Sequence, residues 1–151
     1  MRRAFAALAA FAALAGCQKP APQSVEVRDA WVRLAAVPGR PSAAYFTLAG
    51  GASPERLIAV TSPRVGKVEL HEGGMQGGMM TMKPLAGVDV EAGGEAKFEP
   101  GGNHAMLFGV DPTVQPGSPL ALAFRFGSGK AIQIDAKVLA AGDAAPDHSG
   151  H

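Results

Sequence analysis

The stretch LALAFRFGSGKAIQIDAKVL, Leu120 to Leu139, decides the fold class. Two runs, Leu120–Phe126 and Ala131–Leu139, flank Gly127-Ser128-Gly129. That is the signature of two strands joined by a hairpin connection. Working outward, the same texture recurs along the chain. His104–Val110 is a strong strand candidate, and Ala96–Phe98, Val88–Val90 and Met79–Met82 are short ones. Val68-Glu69-Leu70-His71 alternates, Leu57–Val60 is short and apolar, and Ala43–Leu48 carries Tyr45 and Phe46. Val25-Glu26-Val27-Arg28 alternates too, and Trp31–Leu34 continues it after a break. Turn signals separate these segments, including Pro38-Gly39, Pro41 and Pro100-Gly101-Gly102-Asn103. No window shows a sustained helical period with caps. Seven to ten short strands with regular turns predict a single all-β domain, an antiparallel sandwich or barrel.

Composition agrees with that reading. The chain has 151 residues, enough for one domain with its own core, and its 20 glycines and 12 prolines are spread throughout. Fourteen basic and 13 acidic residues nearly balance, so no basic face for nucleic acid is expected. Arg2 and Arg3 precede an apolar stretch, Ala4–Ala13, too short to span a bilayer, which reads as a secretory leader. Leu14-Ala15-Gly16-Cys17 follows and resembles the bacterial lipobox, in which the cysteine is lipidated and becomes the mature N-terminus. The expected organisation is a leader over 1–16, a tether over 17–24 with Pro20 and Pro22, a β domain over 25–140 and a loose tail over 141–151. Removing the leader takes away two arginines and no acid, moving the formal charge from +1 to −1. Cys17 is the chain's single cysteine, so no intramolecular disulfide contributes to stability.

Four residues stand out chemically: His71, Met82, His104 and Met106. Glycines at 73, 74, 77 and 78 let the strand ending at His71 turn back toward Met82 through a flexible loop. His104 and Met106 are two apart and share a strand face. Two hairpin regions then each supply one nitrogen and one sulfur to a common point. The set holds no carboxylate and no thiolate. Neutral imidazole and thioether donors suit Cu(I); zinc sites use cysteine, histidine and carboxylates, and calcium or magnesium needs oxygen. Such a set leaves the ion's positive charge uncompensated. All five methionines outside the leader, Met75, Met79, Met80, Met82 and Met106, cluster around the two histidines, which core filling does not explain. Met75, Met79 and Met80 are candidate transient ligands in the glycine loop. His148 and His151, in the tail, are candidates for weak Cu(II) binding. Trp31 and Tyr45 are expected to be core aromatics.

The spacing His71-x10-Met82-x21-His104-x-Met106 resembles the signature of the PCu(A)C family of periplasmic copper chaperones. Ala30-Trp31-Val32-Arg33, Ala43-Ala44-Tyr45, Gly78-Met79-Met80-Thr81-Met82-Lys83-Pro84 and Pro100-Gly101-Gly102-Asn103-His104-Ala105-Met106-Leu107 also look like family segments. The resemblance covers roughly Val25 to Leu139. It implies a Greek-key, cupredoxin-like β-barrel that binds one Cu(I) through the four matching side chains. It also implies delivery of copper to cytochrome c oxidase, chiefly the dinuclear copper centre of subunit II, with some relatives working beside a thiol-containing, thioredoxin-like chaperone. Glu72 after His71 and the glycine-rich segment following it depart from the pattern and put the loop's conformation in question.

Other classes fit less well. Blue-copper electron transfer needs a cysteine thiolate, which the domain lacks. No Gly-x-Ser-x-Gly elbow is present and no acid pair suits hydrolysis, so no enzyme is expected. A copper oxygenase commonly uses an N-terminal histidine. Two further readings are a periplasmic copper buffer or tolerance protein using the same residues, and a lipid-anchored β-sandwich binding a small organic ligand without metal.

Overall fold

The computed structural model describes residues 22–147. The expected leader, Cys17, His148 and His151 lie outside the described residues. Ten strands follow one another: β1 (Glu26–Arg33), β2 (Ser42–Ala49), β3 (Glu55–Thr61), β4 (Val65–Gln76), β5 (Met79–Leu85), β6 (Val88–Val90), β7 (Glu95–Phe98), β8 (His104–Val110), β9 (Pro119–Phe126) and β10 (Ala131–Leu139). They form one sheet in the order β5-β4-β8-β2-β1-β10-β9-β3-β6, with β7 also pairing β2. The sheet does not close, and the fold is all-β and cupredoxin-like. One pair departs from the antiparallel expectation, because β1 lies parallel to β10. These strands come from opposite ends of the domain, so no short turn dictates their relative direction.

The deciding stretch folds as its pattern requires. Ala131 pairs with Arg125 and the ladder runs to Lys137 opposite Pro119. Gly129, at φ +89°, donates its N–H to Phe126 O and closes the turn. Leu120, Leu122, Phe124 and Phe126 all point inward and are essentially buried. The sheet curls so that β1, β2, β4, β8, β9 and β10 share one core. At its centre Phe46 stacks on Phe98 (centroids 4.1 Å, 21°) and meets Phe124 edge-on (4.7 Å, 79°). Aromatic pairs in these geometries contribute about 0.5–1.5 kcal/mol each beyond area burial. Phe46→Leu should therefore lose about 1–3 kcal/mol from the two pairs together. Denaturant midpoints at unchanged slope check this.

One bulge shapes the outer face. Between Arg28 and Trp31 the β1–β2 register shifts, and Asp29 takes φ +54°. The extra residue inverts the alternation. Val25 and Val27 point inward before it, Val32 after it. Trp31 is thereby turned out of the main core. It packs instead with Tyr45 and Leu139 in a separate small cluster. Trp31 and Tyr45 are thus buried aromatics, as expected, but on the opposite side of the sheet from the main core.

Candidate metal centre

Strands β5, β4 and β8 lie side by side at one end of the sheet. Residues directly opposite in an antiparallel pair share a face, so register decides what meets. His71 stands opposite His104, and Glu69 opposite Met106. On the other side of β4, Gly73 stands opposite Met82, and Met75 opposite Met80. All of these lie on the outer face. His71, Met82, His104 and Met106 are therefore gathered on one face of three adjacent strands. His71 is buried, His104 and Met106 are half-buried, and Met82 is exposed. A groove of about 240 Å³ opens beside three of them, its lining including Tyr45, Gly73, Met80, Met82, His104 and Met106, while His71 lies outside that lining.

The route to this gathering differs from the sequence expectation in two ways. The glycine segment is not a loop through its length: β4 runs on to Gln76, with Gly73, Gly74 and Met75 in the strand. The turn is Gly77-Gly78 alone, at φ +58° and +79°, between the paired Gln76 and Met79. Two successive positive φ values make the primed turn that suits a two-residue hairpin, and the strand persists because β5 supplies a partner for every residue up to it. Second, β7 and β8 are not a hairpin with each other. Both lie along β2, and β8 sits between β2 and β4. The two histidines thus face each other across neighbouring strands, which is closer than two separate hairpins would bring them.

Met79 is also separated from its neighbours. It pairs with Gln76, whereas Met80 pairs with Met75. Successive residues alternate faces, so Met75, Met80 and Met82 share the histidine face and Met79 does not. Among the described residues, Met75, Met79, Met80 and Met82 are the most exposed methionines, at 58–72%.

The histidines carry complementary hydrogen bonds. His104 Nδ1 lies 2.9 Å from the carbonyl of Gly102, an acceptor only, so Nδ1 carries the hydrogen and Nε2 the lone pair. His71 Nε2 lies 3.1 Å from Glu69 Oε2. Its Nδ1 is buried and has no hydrogen-bond partner among the described residues. The ring centroids are 5.8 Å apart and the planes differ by 28°. A metal about 2 Å from each ring nitrogen holds two imidazole centroids roughly 5–6 Å apart, so the spacing fits a shared ion. An orphaned buried nitrogen is costly unless something occupies it. Among the described residues, no three His, Cys, Asp or Glu side chains group to hold an ion. A set built on these histidines would have to be completed by thioethers, which selects a soft ion.

Glu69 is the residue that sequence reasoning missed. A carboxylate stands beside one of the four neutral candidate donors, a charge that the expectation of an uncompensated ion did not include. Lys67 Nζ lies 2.6 Å from Glu69 Oε1. Lys67 first, then His71, holds the Glu69 carboxyl below its ordinary range, so it is charged at neutral pH. The usable signal was the Glu-x-His spacing on a strand, which puts both side chains on one face.

Next to the groove, Trp31 and Tyr45 pack with centroids 4.5 Å apart, and the Arg33 guanidinium lies 4.9 Å from the Trp31 ring. Burial raises the Tyr45 phenol above 10, partly opposed by Arg33. A raised folded-state value favours the protonated form, so this contribution is intact below pH 10 and is lost as pH rises further. Tyr45 is the single tyrosine. Phenolate absorbance should therefore show one transition above pH 10 in the folded chain, returning to about 10 in denaturant.

A cupredoxin-like β domain with a histidine–methionine face defines the class, and solved structures share the fold. The copper-bound PCuAC domain from PmoF2 superposes with a TM-score of 0.66 at 19% identity, over 82% of this chain and 98% of that one. Apo-DR1885 from Deinococcus radiodurans gives 0.59 at 26% identity, over 93% and 97%. Its Cu(I) form gives 0.56 at 27% identity, over 78% and 80%. The chain belongs to the LpqE-like family, whose model, described as "Putative lipoprotein LpqE-like", matches residues 25–138. The "Putative lipoprotein Lxx21020" of Leifsonia xyli subsp. xyli is 29% identical over 123 residues, 80% of this chain and 74% of that one.

Proposed function

We propose that this protein is a Cu(I) carrier that holds its cargo between His71, His104, Met82 and Met106. The observation that carries the proposal is the pair of imidazoles set opposite each other on the outer face, with ring centroids 5.8 Å apart. Each is tied at one nitrogen, and they share a strand face with two thioethers. Copper-bound relatives of the same fold support the choice of metal. Chelation by neutral soft donors favours Cu(I) over Cu(II). The lipoprotein description of the family supports a membrane anchor at Cys17, and the proposed location is the periplasm. His148 and His151 are proposed as a weak Cu(II) site.

The proposed acceptor is the copper subunit of cytochrome c oxidase, its dinuclear centre, with a thiol-bearing chaperone as the proposed intermediary. A thiolate acceptor offers softer, anionic donors, so stepwise exchange runs downhill from this site. Deleting the protein in its host should lower oxidase activity, and added copper should restore it. Copper sensitivity with normal oxidase activity would instead identify a buffer.

Met75 and Met80 extend the thioether row from Met82 toward the hairpin tip, and the carrier reading makes them transient ligands during hand-over. Met79, on the other face, has no such role. Met75→Leu with Met80→Leu should slow transfer to a thiol acceptor several-fold while leaving stoichiometry unchanged. Met79→Leu should transfer at the wild-type rate. Stopped-flow transfer from the copper-loaded chain checks both, and equal rates in all three proteins would remove the relay.

A further inference from the structure

Glu69, two residues before His71, shares its face of β4 and lies directly opposite Met106. One carboxylate oxygen is 3.1 Å from His71 Nε2 and the other is 2.6 Å from Lys67 Nζ. Lys67 in turn lies 4.9 Å from the centroid of the Phe108 ring, its cross-strand partner. The carboxylate is therefore held from behind by an ammonium that is itself seated on an aromatic face. A carboxylate only accepts, so a neutral His71 must carry its hydrogen on Nε2. The lone pair is then on Nδ1, the atom that is buried without a partner. His104 shows the reverse arrangement, with its hydrogen on Nδ1 facing the Gly102 carbonyl.

We infer that Glu69 is a positioning residue: it fixes His71 as the Nε2–H tautomer, so that His71 presents Nδ1 to the ion while His104 presents Nε2. This rests on the carrier reading above. Two consequences follow from the geometry. The carboxylate increases the basicity of the ligating nitrogen through the shared hydrogen, as carboxylates behind metal-bound histidines do. It also places one negative charge beside a site whose four donors are neutral. Lys67 tempers that charge and keeps the carboxylate turned toward the ring.

The test uses the full chain without metal, at a pH where both rings are neutral. Nitrogen-15 NMR of the imidazoles distinguishes the protonated from the bare nitrogen in each assigned histidine. Wild type should show His71 protonated at Nε2 and His104 at Nδ1. Glu69→Gln retains an acceptor oxygen and should keep the His71 tautomer while losing the charge. Glu69→Leu removes both and should release His71 into a mixture of tautomers, with His104 unchanged. Anaerobic Cu(I) competition should then rank wild type above Glu69→Gln above Glu69→Leu, the last weaker by about 10–100-fold. A structural role alone would shift the unfolding midpoint without moving the tautomer. An unchanged His71 tautomer in Glu69→Leu, or unchanged Cu(I) affinity, would overturn the inference. Wild type that shows the stated tautomers but binds no Cu(I) would refute the carrier reading and leave the fixing of His71 standing.

Discussion

His71→Leu should eliminate the stabilisation that Cu(I) gives this protein while leaving the metal-free fold almost as stable as before. The two effects separate because His71 is buried yet lies outside the main core. Leucine fills comparable space and removes a buried nitrogen that has no partner, which relieves about 1–3 kcal/mol. It also discards the hydrogen bond to charged Glu69, a loss that works against that gain. These oppose each other, so the metal-free variant should change by less than about 2 kcal/mol. Binding responds differently. Wild type at a free Cu(I) concentration 100 times Kd gains about 2.7 kcal/mol. The variant lacks one of four donors. It should lose more affinity than the roughly 10–100-fold typical of an outer-sphere partner, so its thermal midpoint should barely respond to copper. Parallel melts with and without Cu(I) under anaerobic conditions check this. An equal copper-induced shift in both proteins would exclude His71 as a ligand.

The second large effect belongs to a residue with no donor atom. A Cβ built on Gly73 would lie 2.7 Å from the carbonyl oxygen of Gly102. That oxygen accepts both the Gly73 N–H, at 3.0 Å, and the His104 Nδ1–H, at 2.9 Å. Gly73→Ala must therefore displace backbone, and the displaced group is the one that fixes His104. Overpacking of this kind costs about 1–3 kcal/mol. Cu(I) affinity should fall with it, because His104 loses its anchor. Gly74 is the internal control. Its nearest neighbour would be the Thr81 hydroxyl at 3.5 Å, an ordinary contact. Gly74→Ala should change stability by no more than about 0.5 kcal/mol and leave copper binding intact. Chemical denaturation and Cu(I) competition on the two variants check the contrast.

Much of this architecture could be read from the chain, for identifiable reasons. The β9–β10 hairpin shows its alternation and its glycine turn within twenty residues, so local information suffices. The proposed four-residue donor set could be picked out because ligand chemistry restricts residue type and spacing together. Other features depended on non-local pairing. Gly73 and Gly74 are poor strand formers, and only the partner strand β5 shows that β4 continues through them. The bulge at Asp29 is a single extra residue whose effect, turning Trp31 outward, appears only once β2 is alongside. The place of β8 between β4 and β2 set the histidines face to face, and no turn signal near Pro100 indicated it. Glu69 is one residue of the alternating Val68–His71 run, and its place opposite Met106 on the candidate metal face appears only once β8 is alongside.

The central claim is that two imidazoles and two thioethers on β4, β5 and β8 form one Cu(I) site. X-ray absorption at the copper edge, on the chain loaded anaerobically with one equivalent of Cu(I), tests it most directly. The predicted spectrum is that of Cu(I) with a mixed shell of nitrogen and sulfur, losing sulfur when Met82 and Met106 are both replaced by leucine. A shell of nitrogen and oxygen alone in the unaltered protein, or copper that does not remain bound, would contradict the account.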